Sequence, residues 1–295
     1  MPSHILGLSG GLDSTYSAYL AFHRRMNVTL IVVDDVGWST PQADNNIQAI
    51  IDYTDFPVYR IALPDSLNDL RRAFLKANVL HVETPNDVVI QSILYNKAKQ
   101  LKADKIISGG NRLEGQMPYD WSVVDSRYIR SVWKRFGEGA FPDDFPMLSL
   151  WQKYQYKKML FNILENVDYR PVEALKELKK IDFQNYGQKH YEDVFTKFNQ
   201  GLRFFKFGTD VRIVNYKALV RNGQMTLNEM YDSLSFAPYS YDEFLKLCKQ
   251  VEDKIGIKID EHFLTQEMNC WSDFNTNKSW IKMIKSVYKY KLTNN

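Results

Sequence analysis

The stretch Ser9-Gly10-Gly11-Leu12-Asp13-Ser14 decides how this chain is read. An apolar segment, His4 to Leu8, precedes it, and Ile5, Leu6 and Leu8 predict a short buried strand. After it, Tyr16, Tyr19, Leu20 and Phe22 recur at helical spacing. A Ser/Gly turn therefore joins a strand to the N-terminus of a helix. The first backbone N–H groups of a helix have no internal partner, and the helix dipole adds partial positive charge there, so such a turn is a site for an anion. Gly10 and Gly11 lack a Cβ and let the loop curl its amides toward a phosphate. Ser9, Ser14 and Thr15 add hydroxyl donors.

A Walker phosphate loop ends in Gly-Lys-Ser/Thr, whereas this one carries Asp13. A carboxylate repels bare phosphate. It suits the position if a divalent cation lies between it and the phosphates, or if it caps the helix. The pattern Ser-Gly-Gly-X-Asp-Ser resembles the pyrophosphate (PP) loop of the N-type ATP pyrophosphatases. That resemblance implies ATP and Mg²⁺ as ligands, with Ser9, Gly10, Gly11, Asp13 and Ser14 at the phosphates and Asp13 on the metal. It also implies cleavage between the α and β phosphates, adenylation of an oxygen, and displacement of AMP by a nitrogen or sulfur nucleophile.

The 295 residues suit one large or two modest domains, and an apolar fraction of 44% can supply a core. A formal charge of +3 is too small to argue for nucleic acid by itself. Cys248 and Cys270 are the two cysteines, which fits a reduced compartment and makes no zinc site. No signal peptide precedes the first strand, and no apolar run reaches bilayer length, so a cytoplasmic protein is expected.

Strand-like and helix-like segments alternate through the first half. Val28–Val33 and Pro57–Leu63 read as strands, and Lys105–Ser108 as a short one. Helices are predicted from Pro41, around Leu67–Leu75, and from Pro85. Such alternation predicts an α/β fold: a doubly wound, mostly parallel sheet whose ligands bind at the carboxyl ends of the strands. Three of those ends carry polar groups, namely the Ser9–Ser14 loop, Asp34/Asp35, and Gly109-Gly110-Asn111. The pyrophosphatase resemblance extends to all three, and implies an adenine nucleotide alpha hydrolase-like fold with Asp34, Asp35, Gly109 and Asn111 on the ATP side. Read without it, Asp34 and Asp35 are strand-end caps and the Gly pair marks a turn.

From Arg112 to Pro146 the sequence shows little periodicity and many aromatic and charged residues, among them Glu114, Tyr119, Asp120, Trp121, Asp125, Arg127 and Arg130. It reads as a substrate-covering loop or a surface excursion pinned by aromatics. From about Leu150 the pattern turns helical, including Leu160, Phe161, Ile163 and Leu164. A boundary near Pro146 divides the chain into a nucleotide-binding domain, 1–146, and a mainly helical substrate-binding region, 147–295. The basic end, Lys282–Asn295, is expected to fray.

A second constellation spans Tyr186 to Arg212. A helix is predicted from about Lys189, bounded by Gly187 and Gly201, with His190, Val194, Lys197 and Phe198 near one face. Lys189, Lys197, Arg203, Lys206 and Arg212 concentrate positive charge, partly offset by Glu192, Asp193 and Asp210. Such a patch suits a triphosphate or an anionic acceptor, and equally suits a solvated amphipathic helix with ordinary ion pairs.

The run Gly187-Gln188-Lys189-His190-Tyr191-Glu192, Phe195-Thr196-Lys197-Phe198, Gln200-Gly201 and Lys206-Phe207-Gly208-X-Asp210-X-Arg212 resembles the signature of the N-acetyl sugar amidotransferases. So do Asp35-X-Gly37-Trp38, Pro85-Asn86-Asp87, Ser108-Gly109-Gly110-Asn111 and Gly223-Gln224-Met225-Thr226. The similarity runs from Ile5 to about Tyr239. These are pyrophosphatases of O-antigen, lipopolysaccharide and surface-glycan biosynthesis that convert an acetamido group on a nucleotide-linked sugar to an acetamidino group. The resemblance implies ATP activation of an amide or carboxyl oxygen, a sugar-nucleotide acceptor, ammonia from a separate glutaminase subunit, and room for a homodimer. Asp13, Lys189, His190 and Arg212 are the expected catalytic residues, with Lys197, Arg203, Lys206 and Asp210 toward the acceptor. Family members usually begin with a cysteine-rich segment, whereas this sequence starts at the strand, as a trimmed or diverged member would. Two other readings compete: a PP-loop enzyme acting on a nucleobase in tRNA or DNA, and a non-catalytic ATP-binding module.

Overall fold

The computed structural model describes residues 3–111, 113, 115 and 125–274. Glu114, Tyr119, Asp120, Trp121 and the basic end Lys282–Asn295 lie outside the described residues. The strands are β1 (Ser3–Leu8), β2 (Asn27–Asp34), β3 (Val58–Ala62), β4 (Lys105–Ser108) and β5 (Leu160–Asn162). The helices of the first half are α1 (Leu12–His23), α2 (Pro41–Thr54), α3 (Ser66–Lys76), α4 (Thr84–Gln100) and α5 (Ser126–Phe136). Those that follow are α6 (Leu150–Met159), α7 (Pro171–Leu178), α8 (Val194–Gly201), α9 (Arg212–Arg221), α10 (Leu227–Leu234), α11 (Tyr241–Ile255) and α12 (Glu261–Thr265). None of the described helices is long and apolar enough to cross a membrane.

The five strands form one sheet in the order β3-β2-β1-β4-β5, with every neighbouring pair parallel. Alternate strand residues face opposite sides. Leu6, Leu8, Leu30, Val32 and Ile107 pack against Ala18 and Tyr19 of α1, Ile47 and Ile50 of α2, and Leu178 of α7. Ile5, Ile31 and Ile106 face the other way, onto Leu94 and Ala98 of α4. Helices thus cover both faces, which a purely parallel sheet requires. The arrangement is a doubly wound α/β fold on an all-parallel sheet.

Three local expectations are corrected. Leu160–Asn162 is a strand rather than helix: α6 ends at Met159, and Ile106, Ile107 and Ser108 of β4 pair with the next three residues. Three residues are too few to express a period of 2. The stretch read as irregular contains α5, whose Tyr128, Ile129, Val132 and Trp133 form a buried face. Finally, the helix expected from Lys189 begins at Val194, where Asp193 accepts a hydrogen bond from the Thr196 N–H at 2.7 Å. Gly201 is its last residue, as expected, and the chain continues directly into a π-type turn at Leu202–Lys206.

The largest core joins Leu70 and Phe74 of α3 and Val132 of α5 to Phe195 and Phe198 of α8 and Phe244 and Val251 of α11. The sheet and this core both draw on residues either side of Pro146. Cys248 lies buried in this core and Cys270 is exposed, both as free thiols.

Candidate functional site

At the carboxyl end of β1 the chain turns through Gly10, whose φ is +77°. A Cβ there would lie 2.5 Å from the Ala43 carbonyl oxygen, so the position requires glycine. Gly11 is the N-cap of α1, and no side chain caps that helix; Asp13 sits in the first turn, which removes the capping role open to it. The hydroxyls close a small network. The Ser9 and Ser14 Oγ atoms are 3.1 Å apart, the Ser9 N–H donates to Ser14 Oγ, and the Gly11 N–H donates to Ser9 Oγ.

The loop is braced from below by Asn46, fully buried on α2. Its Nδ2 donates to the Gly10 carbonyl (3.1 Å) and the Gln184 carbonyl (3.0 Å), while its Oδ1 accepts the Gln184 N–H (2.8 Å). The Tyr186 hydroxyl donates to the same Gly10 carbonyl at 3.0 Å. The β1 loop and the segment before α8, far apart in sequence, are therefore locked together.

Asp13 receives three donors. Lys189 Nζ is 2.8 Å from Oδ2, Asn111 Nδ2 donates to Oδ2 at 3.2 Å, and the Tyr169 hydroxyl makes a short hydrogen bond to Oδ1. Asn111 is itself fixed by accepting the Leu113 N–H and donating to the Gly109 carbonyl. Tyr169 stacks on Tyr16 of α1, with ring centroids 5.9 Å apart.

These groups line a cavity of about 400 Å³. Ser9, Gly11, Asp13, Ser14 and Gly109–Asn111 line it together with Asn185–His190 and Glu192, and Lys189 and Glu192 reach the loop directly. The remaining wall is mostly uncharged: Leu113, Pro171, Leu175 and Leu219, with Asn215. A second cavity, about 190 Å³, lies at the end of β2 and contains Asp34, Asp35, Glu83 and Asp193. Ser9, His190 and Glu192 belong to both.

In the second cavity Asp35 pairs with Arg71, whose guanidinium is buried and lies 4.9 Å and 4.6 Å from the ring centres of Trp38 and Phe195. Arg71 Nε donates to Asn86 Oδ1. Asp34 is more exposed and lies 3.8 Å from Arg60. Burial, with the nearby Asp35 charge, pushes the Asp193 carboxyl up to about 7.

Of the residues expected in the site, the structure brings Ser9, Gly11, Asp13, Ser14, Gly109, Asn111, Lys189 and His190 to the larger cavity, with Gly10 directly behind it. Asp34 and Asp35 line the smaller one. Lys197, Arg203, Lys206, Asp210 and Arg212 line neither. Lys197 pairs with Glu243, between the Tyr191 and Tyr239 rings. Arg203 is buried and donates to the Leu80 carbonyl, and burial lowers its pKa to about 10. Lys206 donates to the Phe263 carbonyl, with Nζ 3.7 Å from the Phe263 ring centre, and burial brings it down to about 8. Arg212 grips Asp210 and donates to the Ser233 and Phe236 carbonyls. Apart from Lys189, the basic window is thus spent on contacts away from the cavity rather than gathered into one patch.

Four site residues were not singled out for the cavity from sequence: Asn46, Tyr169, Tyr186 and Glu192. Glu192 belongs to the quoted Gly187–Glu192 run and Tyr186 opens the same constellation, which is the one available signal; Asn46 and Tyr169 have no local signature.

Asp13 offers hard carboxylate oxygen beside the uncapped end of α1, a donor set suited to Mg²⁺ held by one or two carboxylates and completed by phosphate oxygens. Among the described residues no group of three or more metal-ligating side chains forms a site by itself.

Residues 182–288 match the family model described as "LPS biosynthesis protein WbpG-like, C-terminal domain". No curated protein matches the chain. Among solved structures, NMN synthetase from Francisella tularensis is 13% identical, with 88% of each chain covered and a TM-score of 0.41. The U34-tRNA thiolase NcsA from Methanococcus maripaludis is 15% identical over 76% of this chain and 72% of its own, with a TM-score of 0.39. NH3-dependent NAD synthetase from Campylobacter jejuni is 16% identical over 88% of each chain, with a TM-score of 0.35. All three scores lie below 0.5. The chain carries, at residues 182–288, a segment that matches the WbpG-like C-terminal domain family, joined to an all-parallel sheet whose first strand ends in a loop that resembles that of the N-type ATP pyrophosphatases.

Proposed function

We propose that this protein is an ATP-dependent, AMP-forming amidotransferase of glycan biosynthesis, acting on an amide of a sugar-nucleotide acceptor. One observation carries the reading. The Ser9–Ser14 loop, at the uncapped N-terminus of α1, and residues 185–190 of the WbpG-like segment line one cavity, with Lys189 paired to Asp13.

In this reading the loop amides and the Ser9 and Ser14 hydroxyls hold the β and γ phosphates. Asp13 holds Mg²⁺, which when bound neutralises charge on the departing pyrophosphate. Asp34 and Asp35 lie toward the adenosine. The acceptor oxygen attacks the α-phosphorus, an O–P bond forms, the α–β bridge breaks and pyrophosphate leaves. Ammonia then attacks the activated carbon, a C–N bond forms, and AMP departs with the former acceptor oxygen. His190, which lines the cavity, would move a proton in that second step, and Lys189, paired with Asp13, would balance negative charge there.

The uncharged wall favours an amide over a carboxylate as the activated group. Leu113, Leu175 and Leu219 suit a methyl group, and Asn185, Gln188 and Asn215 suit neutral polar atoms. Residues 147–295 would then supply most of the acceptor side. A separate glutaminase would supply ammonia.

The deciding experiment incubates the protein with ATP, Mg²⁺, ammonium and a panel of N-acetylated sugar nucleotides, with mass spectrometry of the products. Replacement of amide oxygen by NH with stoichiometric AMP and pyrophosphate supports the reading. ADP and phosphate, or no acceptor-dependent AMP, would overturn it.

A further inference from the structure

Glu192 occupies an unusual place. Its carboxylate lies against the glycine that starts α1: a Cβ on Gly11 would be 2.5 Å from Glu192 Oε1, and Ser9 Oγ donates to the same oxygen at 3.3 Å. The side chain is largely buried, and His190 Nδ1 lies 3.9 Å from Oε1. The backbone is firmly held. The Thr40 N–H donates to the Glu192 carbonyl at 3.0 Å, the Val194 N–H donates to the Trp38 carbonyl at 2.8 Å, and Ser39 and Asp193 form an antiparallel bridge. This carboxylate is therefore a built part of the loop's environment.

A fixed negative charge against an anion-binding turn opposes phosphate taken alone. Asp13 does not present the same difficulty, because Lys189 offsets its charge. At an effective dielectric of about 20, one carboxylate within ~5 Å of a phosphate weakens binding by roughly tenfold or more. A divalent cation reverses the sign, since it is attracted to carboxylate and phosphate together.

We propose that Glu192 is a selectivity residue that makes phosphate binding at the Ser9–Ser14 loop conditional on a divalent cation, so that the loop accepts metal-bound ATP and rejects the bare triphosphate. This rests on the reading that the loop holds the phosphates of ATP. Glu192 also lies where the two cavities meet, so the selection acts at the junction between the nucleotide and acceptor sides.

The test is calorimetric titration of pyrophosphate and of ATP into the full chain, with Mg²⁺ and with a chelator. Wild type should bind both with Mg²⁺ and at least about tenfold more weakly without it. Glu192→Gln, nearly isosteric and still able to accept from Ser9, should bind metal-free pyrophosphate at least about tenfold tighter than wild type. Glu192→Ala should do the same if the Gln variant folds poorly, and Glu192→Asp should keep the metal requirement. Metal-free affinity in both charge-removing variants equal to or weaker than wild type overturns the role of Glu192 and leaves the loop assignment standing. Failure of wild type to bind either ligand with Mg²⁺ overturns the loop assignment and this proposal with it.

Discussion

Lys189 Nζ lies 2.8 Å from Asp13 Oδ2, which joins a residue before α8 to the first turn of α1 across 176 positions of sequence. The pair is half-sheltered, with the Asp13 side chain 16% and the Lys189 side chain 32% exposed. Replacing Lys189 with Met should lower kcat for AMP formation by about 10²-fold, the range for loss of one group that stabilises developing charge. The KM for ATP should change far less. Steady-state kinetics with a pyrophosphate-release assay checks this; an equal rise in KM with unchanged kcat would place Lys189 in ground-state nucleotide binding instead.

Asp13→Asn keeps the shape but removes the charge. AMP formation should fall to background, while the melting temperature stays within a few degrees of wild type. Persistence of near-normal turnover would rule out a metal role for Asp13.

Tyr169 acts on Asp13 through its hydroxyl. Tyr169→Phe preserves the stacking on Tyr16 and deletes that one bond. Turnover should drop about tenfold, with a shifted Mg²⁺ optimum, since the carboxylate loses one of its orienting donors. A loss of stability without a change in metal dependence would mark the tyrosine as packing alone.

Arg71→Ala leaves Asp35 in a buried setting without its partner. Removing one member of a buried pair costs about 3–5 kcal/mol, so urea unfolding should show a large loss of stability. The neighbouring Asp193 predicts a pH effect of known sign. Its folded pKa is about 7, above the unfolded carboxylate value, so the folded state binds the extra proton. That contribution is present at pH below about 4 and is lost as pH rises toward 7. Asp193→Asn should still cap α8, and it should remove this dependence. Relative to wild type it should be more stabilising at pH 8 than at pH 5, by at least about tenfold in the unfolding constant. Paired melts at the two pH values decide it.

Lys206→Met should leave the KM for acceptor unchanged, because Lys206 is committed to the Phe263 carbonyl and ring. Its burial lowers the folded pKa to about 8, so the charged lysine is held at a cost below that pH. Removing the charge should not destabilise the protein at pH 7. A raised acceptor KM in this variant would put the basic window back at the substrate.

Composition and pattern alone determined the α/β class, the positions of β1 to β4, and the strand–turn–helix setting of Ser9–Ser14. Those features are local: a β-branched run, a helical period, and two glycines beside hydroxyls can be read within a dozen residues. β5 was hidden because three residues carry no period, and because its identity comes from pairing with Ile106–Ser108. The start of α8 was misplaced because periodicity does not reveal which residue caps it, and Asp193 does. The fate of the basic window was invisible for a different reason. Each cation is claimed by an acceptor remote in sequence or in an irregular turn: Glu243, the Leu80 and Phe263 carbonyls, and Asp210 with the Ser233 and Phe236 carbonyls. Convergence of Asn46, Tyr169, Lys189 and Glu192 on one six-residue loop likewise needs the folded chain. A sequence can announce an anion site at a helix N-terminus. Which side chains neutralise, orient or guard it depends on distances that only packing creates.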